Sequence, residues 1–286
     1  MRKGIYILPS LFTTGNALCG FYAIIASING MASELLGNQD AYRKWLIYAA
    51  YAIILGAVFD CFDGKVARTT KTTSRFGVEF DSLADLVTFG VAPGVLVYIW
   101  ALKPYGKVGW IASFLFVICG ALRLARYNVQ TTGVKSKYFT GLPIPAAAGV
   151  VASLVIFYFS YWQSLEGIFR YRGILTVIVV YVVALLMVST LKFRSFSGVE
   201  TSKSKHFNVL IAIIFFIFIV IMKPNMMLFL MVWGYFFIAL AEALYLFIRE
   251  KTALPEGEKG TAFEGRRRIY RRKIRKNEDY GTDQNI

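Results

Sequence analysis

Apolar runs near residues 11–29, 45–67, 78–101, 108–127, 144–162, 172–191, 207–223 and 227–248 punctuate this sequence. Each is close to the ~20 residues that a helix needs to cross a bilayer core. In hydrocarbon a backbone must satisfy its own hydrogen bonds, and runs of this length read as helices. With 57% hydrophobic residues in a chain of 286, the expectation is an all-α, polytopic bundle of about eight spans. Residues 1–250 would form the membrane domain. Residues 251–286, which carry RRRIYRRKIRK, read as a disordered basic tail drawn to anionic membrane lipid. The opening MRKGIYILPSLFTTGN lacks a small-residue cleavage site and reads as an amphipathic approach to the first span.

The formal charge of +15 raises nucleic acid as a partner, but the basic residues are scattered between apolar runs and in the tail. That dispersal favours anionic lipid over a nucleic-acid groove. It also sets an orientation. If the 68–77 loop faces the cytoplasm, only Arg43, Lys44, Lys103, Lys107, Arg170, Arg172 and Lys223 fall on the far side, out of 32 Lys and Arg. Both termini are then cytoplasmic, at the inner membrane of a cell. Cys19, Cys61 and Cys119 stand singly in apolar stretches, which indicates packing residues and neither a disulfide framework nor a zinc site. The single histidine, His206, sits among lysines in a polar loop, so acid–base work falls to carboxylates.

Four carboxylates interrupt the second and third runs, in DCFDGKVARTTKTTSRFGVEFDSLAD, residues 60–85. Ionised groups at that depth are costly and usually functional. Asp60 and Asp63 are three apart and Asp81 and Asp85 four apart, so on helices each pair shares a face. Asp60, Asp63, Gly64 and Ala67 fall within an arc of about 100°, with Arg68 beside it, while Gly77, Asp81 and Asp85 form a stripe. The polar loop between the two helices is short enough for an antiparallel hairpin that brings the acidic faces together. Acids so gathered need protons or cations to neutralise them, and oxygen-only donors favour Mg²⁺ or Mn²⁺ over zinc. Gly64 and Gly77 would let a bulky ligand approach the backbone.

Asp60, Asp63, Gly64, Ala67, Arg68, Gly77, Asp81 and Asp85 match at every position the signature D-x2-D-G-x2-A-R-x8-G-x3-D-x3-D, and the chain thereby resembles the CDP-alcohol phosphotransferases. Within that family LPSLFTTGNALCGFY, DSLADLVTFGVAP, RLARYN and GLPIPAAAG are similar to segments of the bacterial membrane-integral phosphatidylserine synthases. The resemblance implies two divalent cations held by Asp60, Asp63, Asp81 and Asp85, with Asp85 also the candidate general base. It implies a CDP side formed by Gly64, Ala67, Arg68 and Gly77, with Thr13 and Asn16 as further nucleotide contacts or simple helix caps. Its substrates would be CDP-diacylglycerol and L-serine, its products phosphatidylserine and CMP, and its assembly a homodimer.

Arg123 and Arg126, at the cytoplasmic end of the fourth run, read either as snorkelling anchors or as guanidinium groups that recognise phosphate or carboxylate, such as the carboxylate of an acceptor. The shared signature leaves other acceptors open: glycerol phosphate, inositol phosphate or choline. A cation transporter is the reading from another class; it calls for acids near the midplane on a continuous polar path, whereas these gather toward one end.

Overall fold

A computed structural model describes residues 7–70, 75–130, 138–161, 172–194 and 223–252. The chain falls into two units, residues 1–243 and 244–286. Among the described residues it is helical apart from one short strand pair, and five stretches are long and apolar enough to cross a membrane. It is an integral membrane protein, and the all-α expectation holds.

Helix α1 spans Ile7–Leu35 and α2 spans Gln39–Thr70. The turn between them is built by its own sequence. Gly37 takes a positive φ of 72°, and the N–H groups of Gly37 and Asn38 close back on the carbonyls of Glu34 and Ser33 at 3.0 and 2.9 Å. This is the Schellman arrangement, which satisfies the last carbonyls of α1. Asn38 then caps α2, its Oδ1 accepting from the Ala41 N–H at 3.0 Å. The two helices run antiparallel in close approach: a Cβ on Gly15 would come within 3.1 Å of the Phe59 ring, and one on Gly30 within 2.9 Å of Leu46. Small residues at such crossings are how helices associate where lipid supplies no hydrophobic drive between them.

The third predicted run is not a plain helix. It comprises α3 (Arg75–Asp85), a π-helical turn (Leu86–Val91), α4 (Ala92–Val97), a second π turn (Tyr98–Leu102) and a 3₁₀ turn (Lys103–Tyr105). Helix α5, Gly106–Gln130, follows. Residues 76–129 satisfy length and hydropathy as one unbroken stretch. They fold back on themselves, because Ser113 Oγ donates to the Gly94 carbonyl at 2.7 Å across the turn at Lys-Pro-Tyr-Gly, where Gly106 has φ 52°. The stretch therefore makes two passes, in agreement with the separate runs at 78–101 and 108–127.

After β1 (Tyr138–Thr140) the chain turns at Gly141, φ 82°, into α6 (Ile144–Tyr161), with Pro143 just before the helix and Pro145 in its first turn. Helix α6 is mostly buried. Helix α7 (Arg172–Val188) leads to β2 (Lys192–Arg194), which pairs antiparallel with β1 in the register Tyr138 opposite Arg194. That pairing joins the segments that follow α5 and α7, where no apolar run marks an element. Helix α7 is shorter than a full span, α8 (Pro224–Thr252) contains the last candidate span, and the predicted run 207–223 lies outside the described residues apart from Lys223. The described residues thus do not establish the count of eight. The tail lies almost wholly outside them.

The core is a continuous apolar cluster in which Leu46, Ala49, Ala50 and Ile53 of α2 join Phe89, Leu96, Phe116 and the length of α6. Large apolar side chains such as Leu18, Phe21, Phe114 and Ile238 stand exposed on the outer helix faces, as lipid-facing positions require. Cys19 and Cys119 are buried, as packing residues should be, whereas Cys61 is exposed; all three are free thiols.

Candidate active site

The carboxylates meet where α2 and α3 approach α1. Asp60, on the last full turns of α2, and Asp81 and Asp85, a turn apart on α3, each present an oxygen within 4.8 Å of the others. Asp85 is buried, and the other two are half-buried. The three- and four-residue spacings put these faces together as helical geometry requires. Three carboxylates at that separation repel one another strongly in a medium of low dielectric. Asp81 Oδ1 is buried with no hydrogen-bond partner among the described residues. Hard oxygen donors, close-set and uncompensated, fit a divalent cation.

Asp63 takes a different position. It is buried one turn beyond Asp60 and outside the close trio, and its Oδ2 accepts a hydrogen bond from Thr13 Oγ1 of α1. It remains near enough for its charge to act on Asp60 and Asp81. Asn16, one turn along α1 from Thr13, donates through Nδ2 to Asp85 Oδ1 at 2.9 Å. Both residues are buried and reach the acids directly, so they do more than cap a helix.

Sequence reasoning missed the residues that hold Asn16. Thr88, in the π turn that begins just after Asp85, donates to the Asn16 carbonyl at 2.8 Å. A wide turn beside a functional residue is a recurrent use of that geometry. Gly20 and Gly56 make the arrangement possible, since a Cβ on either would lie 2.5 Å from the Thr88 side chain. The only available signal was a hydroxyl and two glycines inside apolar runs.

Gly64 is exposed and Gly77 half-buried at the same end of the bundle. Ala67 and Arg68 lie on the final turns of α2, with side chains outside the described residues. Arg123 and Arg126 of α5 diverge. The charge of Arg123 acts on Asp85, and its Nε is buried with no hydrogen-bond partner among the described residues. Arg126 Nη1 donates to the Ser189 carbonyl at 3.3 Å, tying α5 to the end of α7. Asn128 Nδ2 donates to Ser82 Oγ at 3.0 Å and so links α5 to α3 beside Asp81. An apolar cavity of about 560 Å³ opens between α2, α6 and α8, lined by Ile53, Ala57, Pro145, Gly149, Met231 and Tyr235 among others. Tyr235 also lies within electrostatic reach of Arg123.

Residues 6–182 match the family model described as CDP-alcohol phosphatidyltransferase. The chain belongs to that family. This CDP-alcohol phosphatidyltransferase is 34% identical over 220 residues to the CDP-diacylglycerol–serine O-phosphatidyltransferase of Helicobacter pylori, covering 77% of this chain and 84% of the relative. It is 37% identical over 189 residues to the Bacillus subtilis protein of the same name, covering 66% and 90%. It is also 34% identical over 198 residues to the archaetidylserine synthase of Methanothermobacter thermautotrophicus, covering 68% and 72%. The matched segment contains the acidic cluster, Thr13, Asn16, Thr88 and both arginines of α5.

Proposed function

We propose that this enzyme transfers the phosphatidyl group of CDP-diacylglycerol to the hydroxyl of L-serine and releases CMP. The observation that carries the reading is the convergence of Asp60, Asp81 and Asp85 within 4.8 Å on the family's signature positions. The choice of serine rests on the activity for which the Helicobacter and Bacillus relatives are named.

In this reading Asp60, Asp63, Asp81 and Asp85 would hold two divalent ions, Mg²⁺ or Mn²⁺. When bound, such ions offset the charge of a diphosphate and stabilise charge developing on its oxygens. Asp85 takes the proton from the serine hydroxyl. The hydrogen bond from Asn16 fixes one of its oxygens and orients the other. The serine oxygen then bonds to the phosphorus that carries diacylglycerol, the diphosphate P–O bond breaks, and the electron pair leaves with CMP. Thr13 holds Asp63 in place through its hydroxyl. Arg123, unpaired at Nε among the described residues, receives the serine carboxylate. Gly64, Ala67, Arg68 and Gly77 line the nucleotide side. The apolar cavity beside Tyr235 takes acyl-chain surface that would otherwise leave lipid.

The site opens to the cytoplasm in this reading, where a nucleotide-activated lipid and serine both arrive. Purified protein supplied with CDP-diacylglycerol, Mg²⁺ or Mn²⁺ and one alcohol at a time tests the proposal through CMP release. Serine should react fastest. Faster release with glycerol phosphate or inositol phosphate overturns the acceptor, and release with none of them overturns the transfer itself.

A further inference from the structure

A second cavity, of about 740 Å³, lies at the other end of the same helices, and its walls include Glu34, Asp40, Arg43, Lys103, Trp100 and Tyr158. Asp40 precedes Asp60 by twenty positions on α2, and Glu34 follows Asn16 by eighteen on α1. At 1.5 Å per residue these separations are about 30 and 27 Å, close to the thickness of a bilayer core. The cavity therefore sits at the opposite membrane surface from the acidic cluster and cannot be a subsite of it.

We propose that this cavity binds the headgroup of a zwitterionic phospholipid from that leaflet, an ammonium joined to a phosphodiester. Its charged lining is balanced, two carboxylates against two cations, which suits a ligand that carries both signs and disfavours a simple anion. Lys103 and Glu34 already pair at 3.4 Å and close one edge. Asp40 and Arg43 have no ionic partner among the described residues and, three apart on the first turns of α2, face the same way. They are positioned to take the ammonium and the phosphodiester respectively. Behind them stand aromatic rings packed edge to face, Tyr42 on Phe159 at 5.9 Å and Trp100 on Tyr158 at 5.3 Å. Trp100 is 3% exposed, and its Nε1–H is buried with no acceptor among the described residues. Such rings give a lipid glycerol region a rigid apolar wall, with the Trp100 N–H as its polar edge. The position favours a lipid over a free solute, since Ile99 and Phe159 carry the wall into the hydrocarbon-spanning part of the bundle.

Native mass spectrometry of the full chain released from nanodiscs tests the proposal. Nanodiscs containing equal phosphatidylethanolamine and phosphatidylglycerol should leave the ethanolamine lipid retained in excess. Arg43→Gln and Asp40→Asn should each cut that excess by about threefold to fivefold, as for a partly exposed ion pair. Trp100→Phe should cut it with the ring kept in place. Arg43→Gln should leave CMP release unchanged, which separates this site from the acidic cluster. Equal retention of the two lipids, or retention indifferent to Arg43→Gln and Asp40→Asn, overturns the proposal. Displacement by water-soluble glycerophosphoethanolamine at the concentration where the lipid binds overturns the choice of a lipid.

Discussion

Helix α2 is built in two manners along one rod. Near its start and middle, Leu46, Ala49, Ala50 and Ile53 are sealed in an apolar core, and nothing about them asks for a ligand. Near its end, Asp63 is buried and Asp60 half-buried, and they are carboxylates that face the acids of α3 and, at Asp63, the Thr13 hydroxyl of α1. The first region loses stability when altered. The second region is one the fold maintains at a cost in stability, because clustered carboxylates in a poorly polarisable medium resist being brought together. Burial alone therefore does not separate structural from chemical residues in this bundle, whereas burial of uncompensated charge does.

The sharpest way to break that contrast is Asp81→Asn, which removes charge at constant volume. CMP release should fall by at least about 100-fold, in line with loss of a preorganised electrostatic group. In chelator, the variant's melting temperature should equal or exceed that of the parent, because one repulsive partner is gone. A lower melting temperature would mean that the acids are structural after all. At the other end, Leu46→Ala should cost about 2–5 kcal/mol through the cavity it leaves. Turnover per folded molecule should stay unchanged, measured by thermal unfolding alongside CMP release.

Between these extremes fall the residues that hold the acids. Asn16→Ala should lower activity by about 10-fold to 100-fold, as removal of a group supporting a metal ligand does. Thr88→Val should lower it less, with the metal concentration for half activity raised in both variants. A result equal to Asp81→Asn would put Asn16 among the reacting groups. The smallest expected effect is at Arg123: Arg123→Ala should raise KM for serine by about tenfold, roughly the worth of one charge-assisted hydrogen bond, with little change for CDP-diacylglycerol. Arg126→Ala should perturb stability more than either KM, since its partner is the Ser189 carbonyl.

The meeting of Asp60, Asp81 and Asp85 was legible because helical periodicity and one hairpin decide it. The turn at Lys103–Gly106 was legible because proline and glycine punctuate the run there. The division of labour between Asp63 and the trio was not, because Thr13 and Asp63 are fifty positions apart and meet only through the packing of α1 on α2. Nor were the π turns. Leu86–Val91 has the same apolar composition as an ordinary helix, and its wide geometry is imposed by neighbours, including the fit of Thr88 against Gly20 and Gly56. The strand pair β1–β2 likewise joins residues more than fifty apart that carry no alternating pattern.

The two π turns give the third transmembrane stretch a property that uniform membrane helices lack. Each turn takes in one residue more than an α-turn does, so each is a place where chain length and helix phase can be traded against one another. Losing a single residue from 86–91 would tighten the turn and leave the helix unbroken, with Asp81 and Asp85 upstream keeping their register to Asp60. The same loss within Ala92–Val97 has no slack to draw on and would swing every following side chain by about 100°. Related chains can thus differ by a residue here, shifting the hairpin at Lys103–Gly106 relative to the membrane while the acidic cluster stays in phase.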